Sequence, residues 1–217
     1  MTEPRISELE NVIGFDLETS GLDEQNDQIL EVHAKPGRIV NGRFKTHAFG
    51  NWSGLTIVLP ISTDVRLWHP AVVEMHTRNG LIVEAHNTLA DLMTHIRDDC
   101  KDEPIEMADM TEIVCGAAVE YADDALAAMF PKLAGGAKWT LLGNTVHFDL
   151  RFARRLFPLF AANLSHRVID VSSIRIFCET LGLPHVKGEP AHRATDDVLD
   201  SIRLFERCAE FVKGLQV

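Results

Sequence analysis

The spacing of apolar residues changes once along this chain, and that change limits the fold more than any single motif does. Residues 11–16, 28–34 and 38–49 read as strands, and the last of these contains Asn41-Gly42, the favoured two-residue hairpin turn. Residues 54–61, "GLTIVLPI", read either as another strand or as a loop insertion, with Pro60 assigning any such strand to an edge. Beyond them the period turns helical over 70–75, 89–96 (with Asn87 as a cap) and 119–133. Short apolar strands then alternate with helices: a strand at 139–143, a helix at 148–159, a strand at 167–170, a helix through 181 and a last helix over 196–212. Strands first and alternation afterwards predict an α/β fold, a mixed sheet covered by helices. At 217 residues with 46% hydrophobic composition, the chain reads as one domain over 1–217, with insertions near 51–64 and 98–109.

Charge narrows the partners. Thirty-two acidic residues against 21 Lys and Arg leave a net charge of −11. Such a field repels a long polyanion, whose binding depends on many basic contacts, so a nucleic-acid substrate would be short or gripped at one end. Cys100, Cys115, Cys178 and Cys208 are scattered without C-x-x-C spacing, and the acidic start MTEPRISELE has no secretory character. The reading is a cytoplasmic protein with reduced cysteines. No apolar run reaches the ~20 residues of a bilayer span, so no membrane partner is expected.

Three stretches carry chemistry. In "IGFDLETSGLD" (13–23), Asp16 and Glu18 stand two apart on a strand and so point to one face, where two like charges call for a proton or a cation. An all-oxygen pair suits Mg²⁺ or Mn²⁺; alternatively, the strand ends at Phe15 and both acids are solvated. In "LLGNTVHFDLRFARR", Asp149 follows a Gly-Asn turn at a helix start, where it could serve a site or simply complement the helix dipole. In "PAHRATDDVLDSIRLFE", His192 precedes Asp197 by five positions. On a regular helix that offset separates them by roughly 140°, so they share a site only if His192 sits in the preceding loop, an entry that Pro190 favours.

Together the three stretches closely resemble the DEDDh exonuclease superfamily (DnaQ-like, ribonuclease H-like fold). Its four acids, in three separated motifs, bind two metal ions, and its histidine lies five residues before the last acid. Asp16, Glu18, Asp149, His192 and Asp197 fill all five positions in order. Within that superfamily, "DLETSGLDEQNDQILEV", "MHTRNGL" (75–81) and "GNTVHFD" followed by "VIDVSSI" are most similar to oligoribonuclease. "HFDLRF" is equally similar to proofreading-type DNA exonucleases.

The resemblance implies a ribonuclease H-like, mixed five-stranded sheet flanked by helices, and a two-metal 3′-to-5′ exoribonuclease that releases nucleoside 5′-monophosphates from short single-stranded oligonucleotides, RNA rather than DNA. It implies that Asp16, Glu18, Asp149 and Asp197 hold two Mg²⁺ or Mn²⁺ ions and that His192 is the general base. Leu22 would pack on the terminal base, and the Thr19 backbone would hold the 3′-hydroxyl. His76 stands in the family block and His147, near Asp149, could face substrate, while Asn144 and Thr145, in the turn before Asp149, could contact substrate or equally serve as turn residues that satisfy backbone groups. The family's base-wedging tryptophan aligns without gaps at Ala71, and one helical turn of slippage would bring Trp68 there. Arg167, Ser172 and Ser173 stand where the family takes a phosphate-binding group from a second subunit, which implies a homodimer. For Arg167 and Ser172, capping a strand end and the following helix is an equal reading. The rivals are a proofreading-type DNA exonuclease and a nucleic-acid-binding module without activity.

Overall fold

Strand β1 (Glu8–Thr19) is buried along most of its length because it lies between two layers of apolar residues. Ile13, Phe15 and Leu17 point into the larger core, while Val12 belongs to a second, smaller cluster on the opposite face. The computed structural model describes residues 8–47, 53–99, 106–185 and 191–215. β1 pairs antiparallel with β2 (Ile29–Val40) and parallel with β5 (Trp139–Gly143), which in turn pairs parallel with β6 (Leu164–Asp170). The sheet order is β3-β2-β1-β5-β6, with β3 spanning Arg43–Thr46.

The sheet has six strands rather than five, because β2 is long enough to seat two short partners on its outer edge. β3 pairs with Gly37 to Val40, and β4 (Leu55–Val58) pairs with Glu31 to Ala34. The segment read as strand or loop is therefore an edge strand. Asn41 and Gly42 both have positive φ, 50° and 71°, as a type I′ hairpin requires.

Helices α1 (Pro70–Arg78), α2 (Leu81–Asp99) and α3 (Met107–Met129) connect β4 to β5. Two of them begin earlier than their periodicity predicts. Helix α2 starts at Leu81, after Gly80 at φ 80°, and its Leu81 N–H is capped by the Asn79 side-chain Oδ1 at 3.0 Å, so Asn87 is an interior residue. Helix α3 takes in residues 107–109, which read as surface loop. Of that stretch, 98–99 end α2 and 100–105, with Cys100, lie outside the described residues. Exposed helix faces rich in Asp and Glu have the composition of loops, which hides their first turns.

After β5 come α4 (His147–Leu156) and α5 (Pro158–Ala161). They are separate because Phe157 precedes proline and leaves helical geometry (φ −126°, ψ 62°). Helix α6 (Val171–Thr180) and the long helix α7 (Ala194–Gly214) complete the chain. The main core gathers Phe15, Phe130, Phe152, Phe157 and Phe160 under one face of the sheet. Phe15 stacks 5.6 Å from Phe160, and Phe130 meets Trp139 edge-on at 5.3 Å. Each such pair contributes ~0.5–1.5 kcal/mol beyond its buried area. Among the described residues, no helix is long and apolar enough to cross a membrane.

The other face is covered by α7, and Gly14 sets how closely. A Cβ there would lie 2.9 Å from Val198 Cγ1 and 3.2 Å from Ile202 Cδ1. Even-numbered residues of β1 look toward α7, so the strand that carries Val12 and Gly14 under the helix also presents Asp16 and Glu18 on that face. Gly14→Val is expected to lower the free energy of unfolding by about 1–3 kcal/mol through overpacking. Urea titration checks this, and an unchanged midpoint would show that α7 yields freely.

Candidate active site

Two acids reach the site on β1, and the third is tied to the peptide between them. The N–H of buried Leu17 donates to Asp149 Oδ1 at 3.1 Å. Asp149 sits in the first turn of α4, which β5 delivers after a tight turn with Thr145 at φ 59°. That delivery depends on Gly143, where a Cβ would stand 2.5 Å from the Phe15 carbonyl oxygen.

The fourth acid arrives on α7, and a buried carboxylate of β2 fixes the start of that helix. Glu31 lies opposite Glu18 in the β1–β2 register and is 1% exposed. It accepts from Arg193 Nη2 at 2.8 Å, from Arg193 Nε at 3.1 Å and from the Ala194 N–H at 2.9 Å. Arg193 also pairs with Glu84 of α2 at 2.9 Å. His192 lies in the loop just before α7 with φ 53°. Five residues on, Asp197 is in the helix's first turn. Glu18, His192 and Asp197 each place one ligand atom within 4.8 Å of the others. Asp16, Glu18, Asp149, His192 and Asp197 all line one depression of about 400 Å³, together with Leu22, Asn144, Thr145, His147, Phe148 and Arg151.

Crowding governs the charge of this cluster. Burial, then the carboxylates of Asp197 and Glu31, push the Glu18 carboxyl from 4.5 up to about 8. Burial likewise takes Asp149 to about 8, against the opposing bonds from the N–H groups of Leu17 and of Asp149 itself. Asp16 is held well above the usual carboxylate range by burial and then by Asp149, Glu18 and Asp197. Burial raises Asp197 as well, although His192 pulls the other way. Without a cation Glu18 and Asp149 keep their protons near neutral pH. An oxygen-rich donor set of that kind fits a hard divalent ion, whose positive charge reverses the local pKa logic.

Comparison with known proteins gives the family. No family model matches the chain, but the oligoribonuclease of Mycobacterium leprae is 30% identical over 201 residues, spanning 89% of this chain and 77% of that protein. The chain belongs to the oligoribonuclease family. That places it among the DnaQ-like 3′-to-5′ exonucleases. The oligoribonuclease of Coxiella burnetii is 25% identical over 203 residues, with 89% of each chain covered. A probable oligoribonuclease of Dictyostelium discoideum is 26% identical over 194 residues, covering 88% of this chain and 84% of its own. Among solved structures, exonuclease I overlays 91% of this chain and 42% of its own at 13% identity and a TM-score of 0.47, too loose a likeness to argue from.

Not every residue that the family resemblance nominates reaches the depression. Leu22 does, 79% exposed at its rim, as do Asn144 and Thr145. Trp68 does not. It is 9% exposed, packed with Leu30, Ile61, Leu81 and Ala85, and its indole N–H donates to Thr63 Oγ1 at 2.9 Å, so it is a core residue rather than a base wedge. Ala71 and Met75 instead border a second depression that shares His192. His76 is fully buried and its Nε2 donates to the Thr19 carbonyl at 3.1 Å, so it braces the end of β1 rather than lining the depression. Arg167 lies in β6 rather than capping its end. Helix α6 is capped by Asp170, which accepts from the N–H groups of Ser172 and Ser173, so Ser172 is not the cap. The Ser172 hydroxyl is 3.3 Å from that of Thr145.

His147, whose place near Asp149 already suggested that it could face substrate, lines the depression, and so does Arg151, which the sequence did not single out. His147 donates from Nδ1 to Asp170 at 2.9 Å while lining the depression, and Arg151 stands over the Phe148 ring at 5.5 Å. Their signal was position, two before and two after Asp149. Glu31 and Asn79 were present only as letters of family blocks. His33, opposite Asp16 in register, bonds Thr56 Oγ1 at 2.7 Å and is driven down to about 4 by burial, so it stays neutral.

The raised acids make folding sensitive to pH. A carboxyl whose folded pKa exceeds its unfolded value favours folding below the unfolded value, and that contribution is lost as pH rises through the folded one. In chelator, the melting temperature is expected to fall as pH rises from 4.5 toward 8, the interval set by Glu18. Glu18→Gln should flatten that slope, and Mn²⁺ should restore the wild-type melting temperature at the alkaline end. A Gln variant with the wild-type slope would remove Glu18 from the account. Asp64, lowered to about 2 by Arg66, titrates below this window.

Proposed function

We propose that the chain is a divalent-metal-dependent 3′-to-5′ exoribonuclease that degrades short oligoribonucleotides to nucleoside 5′-monophosphates. The convergence of Asp16, Glu18, Asp149, Asp197 and His192 on one depression carries this reading. In it, Asp16, Glu18, Asp149 and Asp197 hold two ions, Mg²⁺ or Mn²⁺. Bound there, the ions stabilise charge on the attacking and leaving oxygens of an in-line displacement.

This chain's own residues position and move protons. His192 accepts the proton of the attacking water as its oxygen bonds to phosphorus. The bond from phosphorus to the O3′ of the preceding nucleotide breaks, that oxygen takes up a proton, and the terminal nucleotide leaves with its 5′-phosphate. Leu22, exposed at the rim, packs on the terminal base. Arg151 and His147, which line the same depression, together with Asn144 and Thr145, face the sugar-phosphate backbone. With Trp68 in the core, the contact across from Leu22 falls to the smaller side chains of Ala71 and Met75.

The net charge of −11 supports short substrates over long ones, because few basic contacts are available to displace counterions. The reading includes a homodimer in which exposed Arg167 and the Ser172-Ser173 turn meet the partner's substrate, and a cytoplasmic setting in keeping with Cys115, Cys178 and Cys208, all unpaired.

The test is a time course on 5′-labelled RNA and DNA of two to twenty nucleotides with Mg²⁺ or Mn²⁺. Rapid loss of the shortest RNAs, with the longest nearly intact, is the expected outcome. Preferential shortening of the DNA would move the chain to proofreading-type chemistry. Asp197→Ala and Asp16→Ala are expected to lower cleavage by at least about a thousandfold while sparing the fold, and a fully active Asp16→Ala would sink the metal assignment. Leu22→Ala is expected to raise KM for dinucleotides with little change in kcat.

A further inference from the structure

The backbone of His192 is held in a conformation that residues with a Cβ rarely adopt, φ 53°, and such a conformation persists only where its surroundings impose it. Two groups do so. On the helix side, Glu31 grips Arg193 and the Ala194 N–H. On the other side, the Asn79 side-chain amide donates from Nδ2 to the His192 carbonyl.

Asn79 is well placed for that task. Its own N–H donates to the Met75 carbonyl at the end of α1, and its Oδ1 accepts from the Leu81 N–H at 3.0 Å at the start of α2. The amide orientation follows from the partners, since a backbone N–H only donates and a carbonyl only accepts. Asn79 thus ties the α1–α2 junction to the loop that presents His192, 113 positions away. The same junction and His192 border the second depression, so a substrate lying across both depressions would press on this contact.

We propose that Asn79 is a positioning residue for the hydrolysis, fixing the His192 peptide and through it the imidazole over the carboxylate cluster. The inference rests on the reading of His192 as the base. Asn79→Asp keeps an acceptor for Leu81 and loses the donor to His192, and Asn79→Ser, which adds no charge, keeps a hydroxyl near Leu81 on a side chain shorter than the amide that reaches the His192 carbonyl.

The experiment is a double-mutant cycle with His192→Ala, read as single-turnover cleavage of a 5′-labelled RNA trinucleotide in Mg²⁺, with melting temperatures alongside. Both Asn79 variants are expected to lower kcat about ten- to a hundredfold, the scale on which small misplacements act, with KM within about twofold and melting little changed. In the His192→Ala background the same substitutions are expected to cost nothing further. Wild-type kcat in both Asn79 variants, or an equal loss with and without His192, would overturn the positioning role alone. A fully active His192→Ala enzyme would overturn the role of His192 and this inference with it.

Discussion

The salt bridge between Glu31 and Arg193 is the constraint on which the geometry of the cluster depends. A carboxylate buried this deeply in a sheet is tolerable only if its charge is met and its lone pairs are bonded. Arg193 and the Ala194 amide do both. Because the pair spans 162 positions, it decides where the last helix starts. Because Glu31 faces Glu18 across the ladder, that start is set beside the acids of β1. The arginine's further bond to Glu84 brings α2 into the same clamp. The cluster of proton-holding acids is then sustained by a neighbouring ion pair that is itself neutralised, a division between a structural carboxylate and the less fully paired ones beside it.

What could be read in advance was what local spacing encodes. Two acids two apart in an apolar strand, an acid opening a helix after a Gly-Asn turn, and a histidine five before an acid each occupy one short window; singly each has a plain structural reading, and only their joint resemblance to the DEDDh pattern made the five residues legible. The strands were legible for a related reason, since burial on both faces leaves short apolar runs, residues 12–15 in β1 and 139–143 in β5. The sixth strand was ambiguous because an edge position asks little of a sequence. The long surface helices α2 and α3 were under-read because their exposed faces carry the residues that also build loops.

What could not be read was set by contacts across the chain. Trp68 looked available for substrate when counted along a helix, yet a short 3₁₀ turn over Val65–Leu67 and the bond to Thr63 turn its ring into the core. His76 stood in a family block, and only its burial reveals that it braces Thr19 from behind. Glu31 and Asn79 carry no local pattern at all. Their parts depend on Arg193 and His192, more than a hundred positions downstream.

The span of the Leu17–Asp149 hydrogen bond, 132 positions, bears on how the protein is made. As a chain leaves the ribosome, β1 emerges with two acids early, Asp149 follows much later, and His192 and Asp197 come with the final helix. Until α7 docks on Gly14, a nascent chain has neither the imidazole nor the fourth carboxylate beside the others. Under the roles proposed for His192 and Asp197, a nuclease assembled in this order would lack two of its five site residues until α7 docks, and would acquire its chemistry in the same step that closes the small core between α7 and the sheet.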